Sequence, residues 1–134
     1  AHGFNTQTAI PGATSTTGIT NHHGTHVAGI VAAEWNDKGT SGVAGNVQIM
    51  SLRHSDSLAS ILQCFNYGKR ARENGVDIIA TNNSWALGLN TSDLINLAVT
   101  ELGQMGVVSV FASGNSAENT DKALEAPTTF ANNP

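Results

Sequence analysis

The sequence predicts an α/β fold, three-layered and built around a parallel sheet. Two short runs carry the first part of that prediction. Val76-Asp77-Ile78-Ile79-Ala80-Thr81-Asn82 and Val107-Val108-Ser109-Val110-Phe111-Ala112 are rich in apolar residues without strict alternation. That is the pattern of strands covered on both faces. The second observation is that segments with apolar residues at helical spacing stand before and between these runs. Strands alternating with helices of this length give right-handed crossovers and parallel pairing.

In chain order, residues 1–20 carry Gly, Pro, Thr and Asn with no period and read as a loop. Asn21 is placed to cap a helix. That helix runs to about Glu34–Trp35, and Val27, Ala28, Ile30, Val31, Ala32 and Ala33 leave it no polar face. It should therefore be buried on all sides. Asn36 to Gly42 follow as a surface loop. Val47 to Arg53 read as a strand covered on both faces, and His54-Ser55-Asp56-Ser57 supply helix-capping side chains.

The next helix spans about Leu58 to Arg72, with a stripe at Leu58, Ile61, Leu62 and Phe65. Lys69, Arg70 and Arg72 sit at its last turn, where the helix dipole favours cations, and Gly75 closes it. After the strand Val76–Asn82 come Asn83-Ser84-Trp85 and a loop to Thr91. Thr91 or Ser92 caps a third helix to about Gln104, striped by Ile95, Ala98, Val99 and Leu102. The strand Val107–Ala112 breaks at Ser113-Gly114-Asn115-Ser116, and residues 117–134 read as loop.

Composition excludes several functions. The chain has 134 residues, net charge −4 and only 6 Lys and Arg, so no basic patch marks a nucleic-acid partner. There is no apolar run of about 18 residues, the length a membrane span needs. No signal-peptide pattern stands at its start. The single Cys64 rules out an internal disulfide and reads as a small buried hydrophobe. Sparse charge with abundant Asn, Thr, Ser and Gly fits a secreted, extracellular protein.

The chemistry concentrates at His22-His23-Gly24-Thr25-His26, ahead of the apolar helix. A histidine in the first turn of such a helix sits near the positive end of its dipole, which disfavours the imidazolium and keeps the ring a usable base. His23 to Gly29, HGTHVAG, resembles the histidine signature of the subtilisin-like serine proteases. The resemblance extends over most of the chain from His22 to Asn115 and implies a partial subtilisin-like fold. It makes His23 the catalytic base and His26 a second histidine, held in the core. Ser113-Gly114-Asn115 resembles the family's segment after an apolar strand, so that Asn115 is implied as the donor to the oxyanion. The reading without the resemblance is that Asn115 takes a left-handed turn, which Asn tolerates.

Asn83-Ser84-Trp85 resembles the strand end along which the family pairs with its substrate. Ser84, Trp85, Ala86, Ser113 and Gly114 are accordingly expected to line the groove, with Ser55, Asp56 and Ser57 on its opposite edge. Helix capping explains those last three equally. Ala86 and Leu87 stand where the family commonly has glycine, which would narrow the pocket.

The departures define the rest of the expectation. The family triad runs Asp, His, Ser along the chain. No Asp or Glu precedes His23, and nothing after Asn115 matches the nucleophile's motif. Gly39-Thr40-Ser41 stands in the wrong order to supply it, and Asp37 and Asp56 lie on the wrong side of His23. Residues 1–134 are thus expected to be the central part of a peptidase domain, without the Asp strand or the Ser-bearing segment. The chain alone should be inactive. Its partners would be polypeptide substrate and the flanking segments of its own domain, and exposed sheet edges invite a homodimer.

Two other classes stay open. One is a non-catalytic relative that binds peptides in the same groove. The other is a histidine-rich metal module, since His22 and His26 stand at i,i+4. The zinc-hydrolase pattern H-E-x-x-H is not met, because His23 stands where Glu is needed. No cofactor is expected. Calcium, frequent in the family, has no Asp/Glu-rich loop to mark a site.

Overall fold

The computed structural model describes residues 3–7, 10–11, 22–86, 92–115, 117 and 119. It is an α/β fold with parallel strands, and the chain clusters into two compact units, Ala1–Arg53 and His54–Pro134.

In the first unit, β1 (Gly3–Asn5) lies between β2 (Ile10–Pro11), its antiparallel neighbour, and β3 (Ser51–Arg53), its parallel one. The stretch expected to be loop therefore contains two strands. Segments of three and two residues are too short to show a period. What makes β1 a strand is its pairing with β3, far along the chain, with Gly3, Phe4 and Asn5 opposite Ser51, Leu52 and Arg53. The Thr6 amide adds a further bond to the Arg53 carbonyl, 3.0 Å. Pro11 stands on the outer strand, the position within a sheet that tolerates proline. β3 is shorter than the expected 47–53, because β1 offers it only three partners. Val47 and Ile49 are exposed rather than covered on both faces.

Helix α1 (His23–Ala32) is the apolar helix, but none of its residues is buried, and Ile30 is 56% exposed. Apolar composition states a demand for burial. Only a surface laid against the helix meets it, and the described residues cover this one in part, leaving Val27–Gly29, Val31 and Ala32 half-buried. Its carboxyl end is well held. The last carbonyls of a helix lack partners within it, and here the chain returns to satisfy three of them. The amides of Gly42, Val43 and Ala44 donate to the carbonyls of Ala33, Ile30 and Val31 at 2.9, 3.0 and 2.9 Å. Gly42 is required by space, since a Cβ there would lie 2.4 Å from the Ala33 nitrogen. The Trp35 indole Nε1 donates to the Gly42 carbonyl, 2.8 Å, and ties the return down.

The second unit holds α2 (Leu58–Glu73), β4 (Ala80–Asn83), α3 (Ser92–Gln104) and β5 (Val108–Phe111). Both helices match expectation within a residue. Ser57 caps α2, its side chain accepting from the Ser60 amide at 3.3 Å, a contribution of about 1 kcal/mol. Asn74 ends the helix and Gly75 follows at φ 86°. Arg72 pairs with Asp77 at 2.7 Å. Lys69 pairs with Glu101 of α3 at 2.9 Å, and the hydrogen bond to that carboxylate raises the Lys69 pKa. The core is Ile61 and Phe65 of α2, Ile95 and Leu102 of α3, and Val107, with Trp85, Phe111, Val99 and Ile78 around it. The helical stripes read in the sequence are the faces that meet here.

β4 and β5 run parallel with Thr81 opposite Ser109 and Asn83 opposite Phe111. They form a sheet separate from β2-β1-β3, so the described strands make two sheets rather than the single one expected. Alternation decides which face is covered. Asn83 is buried and Phe111 packs against the core, while Val108 and Val110 are 63% and 52% exposed on the other face. The expectation of strands covered on both faces fails here too. The paired segments are also shorter than the apolar runs, starting at Ala80 and Val108.

Cys64 is buried in α2, as expected, and burial pushes its thiol up to about 11. A buried neutral thiol is a poor nucleophile. We expect no reaction of the folded chain with a disulfide reagent at pH 8 over the time in which the denatured chain reacts fully, a comparison that absorbance measures directly. Above the ordinary thiol pKa the unfolded chain binds fewer protons than the folded one. Cys64 therefore lowers stability as pH rises from about 9 towards 11.

Candidate active site

His23 is the first residue of α1. His22 precedes it at the cap position without making a side-chain cap bond, and the His26 amide donates to its carbonyl at 2.9 Å, the first bond of the helix. The expected cap, Asn21, lies outside the described residues. His23 is exposed and stands in the first turn of the helix, at the positive end of its dipole, with no acidic residue in that turn. His26, expected in the core, is exposed as well, because α1 is covered only in part. Among the described residues no three His, Cys, Asp or Glu side chains come together to hold a metal ion.

The second unit brings the strand-end segments into register. The Ala112 amide donates to the Asn83 carbonyl at 3.1 Å, which carries the ladder one step past β5. Ser84-Trp85-Ala86 and Ser113-Gly114-Asn115 thus leave neighbouring strands at the same end. Active sites of parallel α/β sheets form at such carboxyl ends. Asn83 reinforces the pairing with its side chain. Its Nδ2 donates to Thr81 Oγ1 at 2.9 Å and to the Val110 carbonyl at 3.2 Å, and the residue is only 6% exposed. Thr81 in turn donates to Ser109 Oγ across the strands, 3.0 Å.

The left-handed position in the turn after β5 falls on Gly114, at φ 91°, and not on Asn115. A glycine there takes the turn at no steric cost, and Asn115 follows it with its side chain exposed. The alternative explanation of Asn115, as the turn-forming residue, is therefore not the one the backbone adopts.

Ser55, Asp56 and Ser57 form the entry to α2. The Ser55 carbonyl accepts from the Ser57 amide at 2.7 Å and from Ser60 Oγ at 2.5 Å, and the two hydroxyls of Ser55 and Ser57 lie 3.3 Å apart. Capping occupies Ser57 and the Ser55 backbone, while Asp56 is exposed. Ser84 Oγ accepts from Asn82 Nδ2 at 3.0 Å, and Ala86 is exposed. Trp85 is half-buried and meets three rings edge-on: His54 at 5.7 Å, Phe111 at 5.9 Å and Phe65 at 6.4 Å between centroids. Leu87 lies outside the described residues. The sequence reading names His54 and Asn83 within the segments that follow the strands but assigns neither a role in the site. A polar residue closing an apolar strand was the available signal for both.

The sequence matches the subtilase family over residues 2–133. It is similar to the thermophilic serine proteinase of a Bacillus species, 38% identical over 106 residues, covering 75% of this chain and 25% of that protein. It is similar to subtilisin DY of Bacillus licheniformis, 36% identical over 104 residues, covering 74% of this chain and 36% of that protein. It is also similar to the minor extracellular protease of Bacillus subtilis, 32% identical over 117 residues, covering 83% of this chain and 17% of that protein. The chain belongs to the subtilase family. It spans between 17% and 36% of the length of these three relatives. Among the described residues no helix is long and apolar enough to cross a membrane.

Proposed function

We propose that these residues are the central part of the catalytic domain of a secreted serine endopeptidase, which cleaves polypeptides through an acyl-enzyme. The observation that carries this reading is the His23–Gly29 signature at the opening of α1, in a chain of the subtilase family. His23 is the general base. It takes the proton of a serine hydroxyl as that oxygen attacks the peptide carbonyl, then returns it to the leaving amine. Asn115 donates its amide hydrogen to the oxyanion that forms. Ser84 to Ala86 and Ser113 to Gly114 bind the substrate backbone, with Ser55 to Ser57 on the far edge.

The family's acid and nucleophile have no counterpart among the 134 residues. Without that acid and that nucleophile, the chain by itself does not cleave peptides. A fluorophosphonate, which labels activated serines, tests this. The chain should remain at its unmodified mass, near 13.9 kDa, while a longer protein that includes the Asp and Ser segments takes up one adduct and hydrolyses peptides. An adduct on the chain itself, at Ser41 or Ser84, would refute the division of roles. A longer protein that binds extended peptides but takes no label would instead be a non-catalytic relative.

A further inference from the structure

We infer that His54 is a positioning residue for the substrate-lining segment Ser84–Ala86, acting through the indole of Trp85. The inference rests on the peptidase reading above, and its geometry lies wholly within the second unit.

His54 follows directly on β3, ahead of the α2 cap. Its Nδ1 lies 2.9 Å from the Ser55 carbonyl, an oxygen that can only accept, so Nδ1 carries the proton. That bond fixes the ring plane. The ring then meets Trp85 at 5.7 Å with an interplanar angle of 74°, a favoured edge-to-face arrangement. Phe65 and Phe111 meet the same indole at 75° and 86°. The three contacts come from three directions in the chain: the entry to α2, the body of α2 and the last residue of β5. Phe65 is itself buried in the core and Phe111 is held in the β4–β5 ladder. His54 is the third contact, and the one whose orientation is set by its own backbone hydrogen bond.

Trp85 is the middle residue of the segment proposed to lie along the substrate. Its backbone cannot shift without moving the indole, and the indole cannot rotate without losing an edge contact. His54 thereby transmits the position of the α2 entry to the strand end beyond β4. It touches no reacting atom. Its loss should be felt in substrate binding rather than in the chemical step, which separates it from His23 and Asn115.

The test uses the complete peptidase, labelled with 5-fluorotryptophan, the Trp85 resonance being identified by its loss in Trp85→Phe. H54Q removes the ring and keeps a polar side chain, whereas H54F keeps a ring and removes the donor. H54Q should displace the Trp85 fluorine resonance and raise KM for a peptide substrate about fivefold, with kcat within about twofold of wild type. H54F, which keeps the ring edge but not the bond that orients it, should recover only part of both. The inference is overturned if H54Q leaves resonance and KM unchanged, or if H54F behaves like H54Q. It is also overturned if H54Q lowers the folded fraction, since His54 is then only structural. A wild-type protein without peptidase activity would sink the functional reading instead, and the fluorine shifts would still decide whether His54 holds Trp85.

Discussion

Replacing His23 with alanine in the complete protein should lower kcat by about a million-fold, the scale known for the same residue type in subtilisin, a member of this family. The physical reason is that His23 is the group proposed to take the serine proton, and an unassisted hydroxyl is a weak nucleophile. KM should change little, because the proposed role of His23 is toward the nucleophile and not toward the substrate's side chains. Stability should shift by no more than about 1 kcal/mol, the scale of a single hydrogen bond, since the side chain is exposed at the first turn of α1. Steady-state kinetics beside a thermal melt makes the measurement. A tenfold loss in kcat with an unchanged melt would mean that His23 is not the base.

Asn115→Leu should lower kcat by about 10²- to 10³-fold, or about 2.7–4 kcal/mol of transition-state stabilisation, a magnitude taken from the oxyanion-hole asparagine of subtilisin. As the proposed oxyanion donor, the amide would act where charge develops on the carbonyl oxygen, so the loss should fall on kcat while KM stays within about twofold. The fold gives this substitution a clean background. Gly114 takes the left-handed turn, and Asn115 is exposed behind it, so leucine strains no backbone and opens no core. If Asn115→Leu raised KM and spared kcat, the residue would belong to the groove rather than the oxyanion site.

The helices of the second unit were legible because their information is local. A capping serine, apolar residues three and four apart, and a closing glycine all lie within one stretch, and α2 and α3 follow them closely. The strands were legible as apolar runs but not in length, because a strand extends only as far as its partner does. β1 and β2 were illegible for the same reason in its extreme form, their identity residing in pairing. The burial of α1 was misjudged because composition reports what a helix needs and not what surrounds it. The candidate site divides along the same line. His23 and Asn115 stand in contiguous motifs that a resemblance can carry. The ring cluster around Trp85 draws on positions 54, 65, 85 and 111, and no window of sequence holds all four.

The return of the chain onto the end of α1 divides the following loop into two parts with different fates under engineering. Residues 36–41 are exposed at its tip, beyond the three amide-to-carbonyl bonds made by Gly42, Val43 and Ala44. A peptide tag or a change of length at the tip alters only what solvent sees. The same insertion placed among residues 42–44 would pull three amides from their carbonyls and leave the end of the histidine-bearing helix to fray. The loop is thus a graft site with a sharp inner limit, set at Gly42.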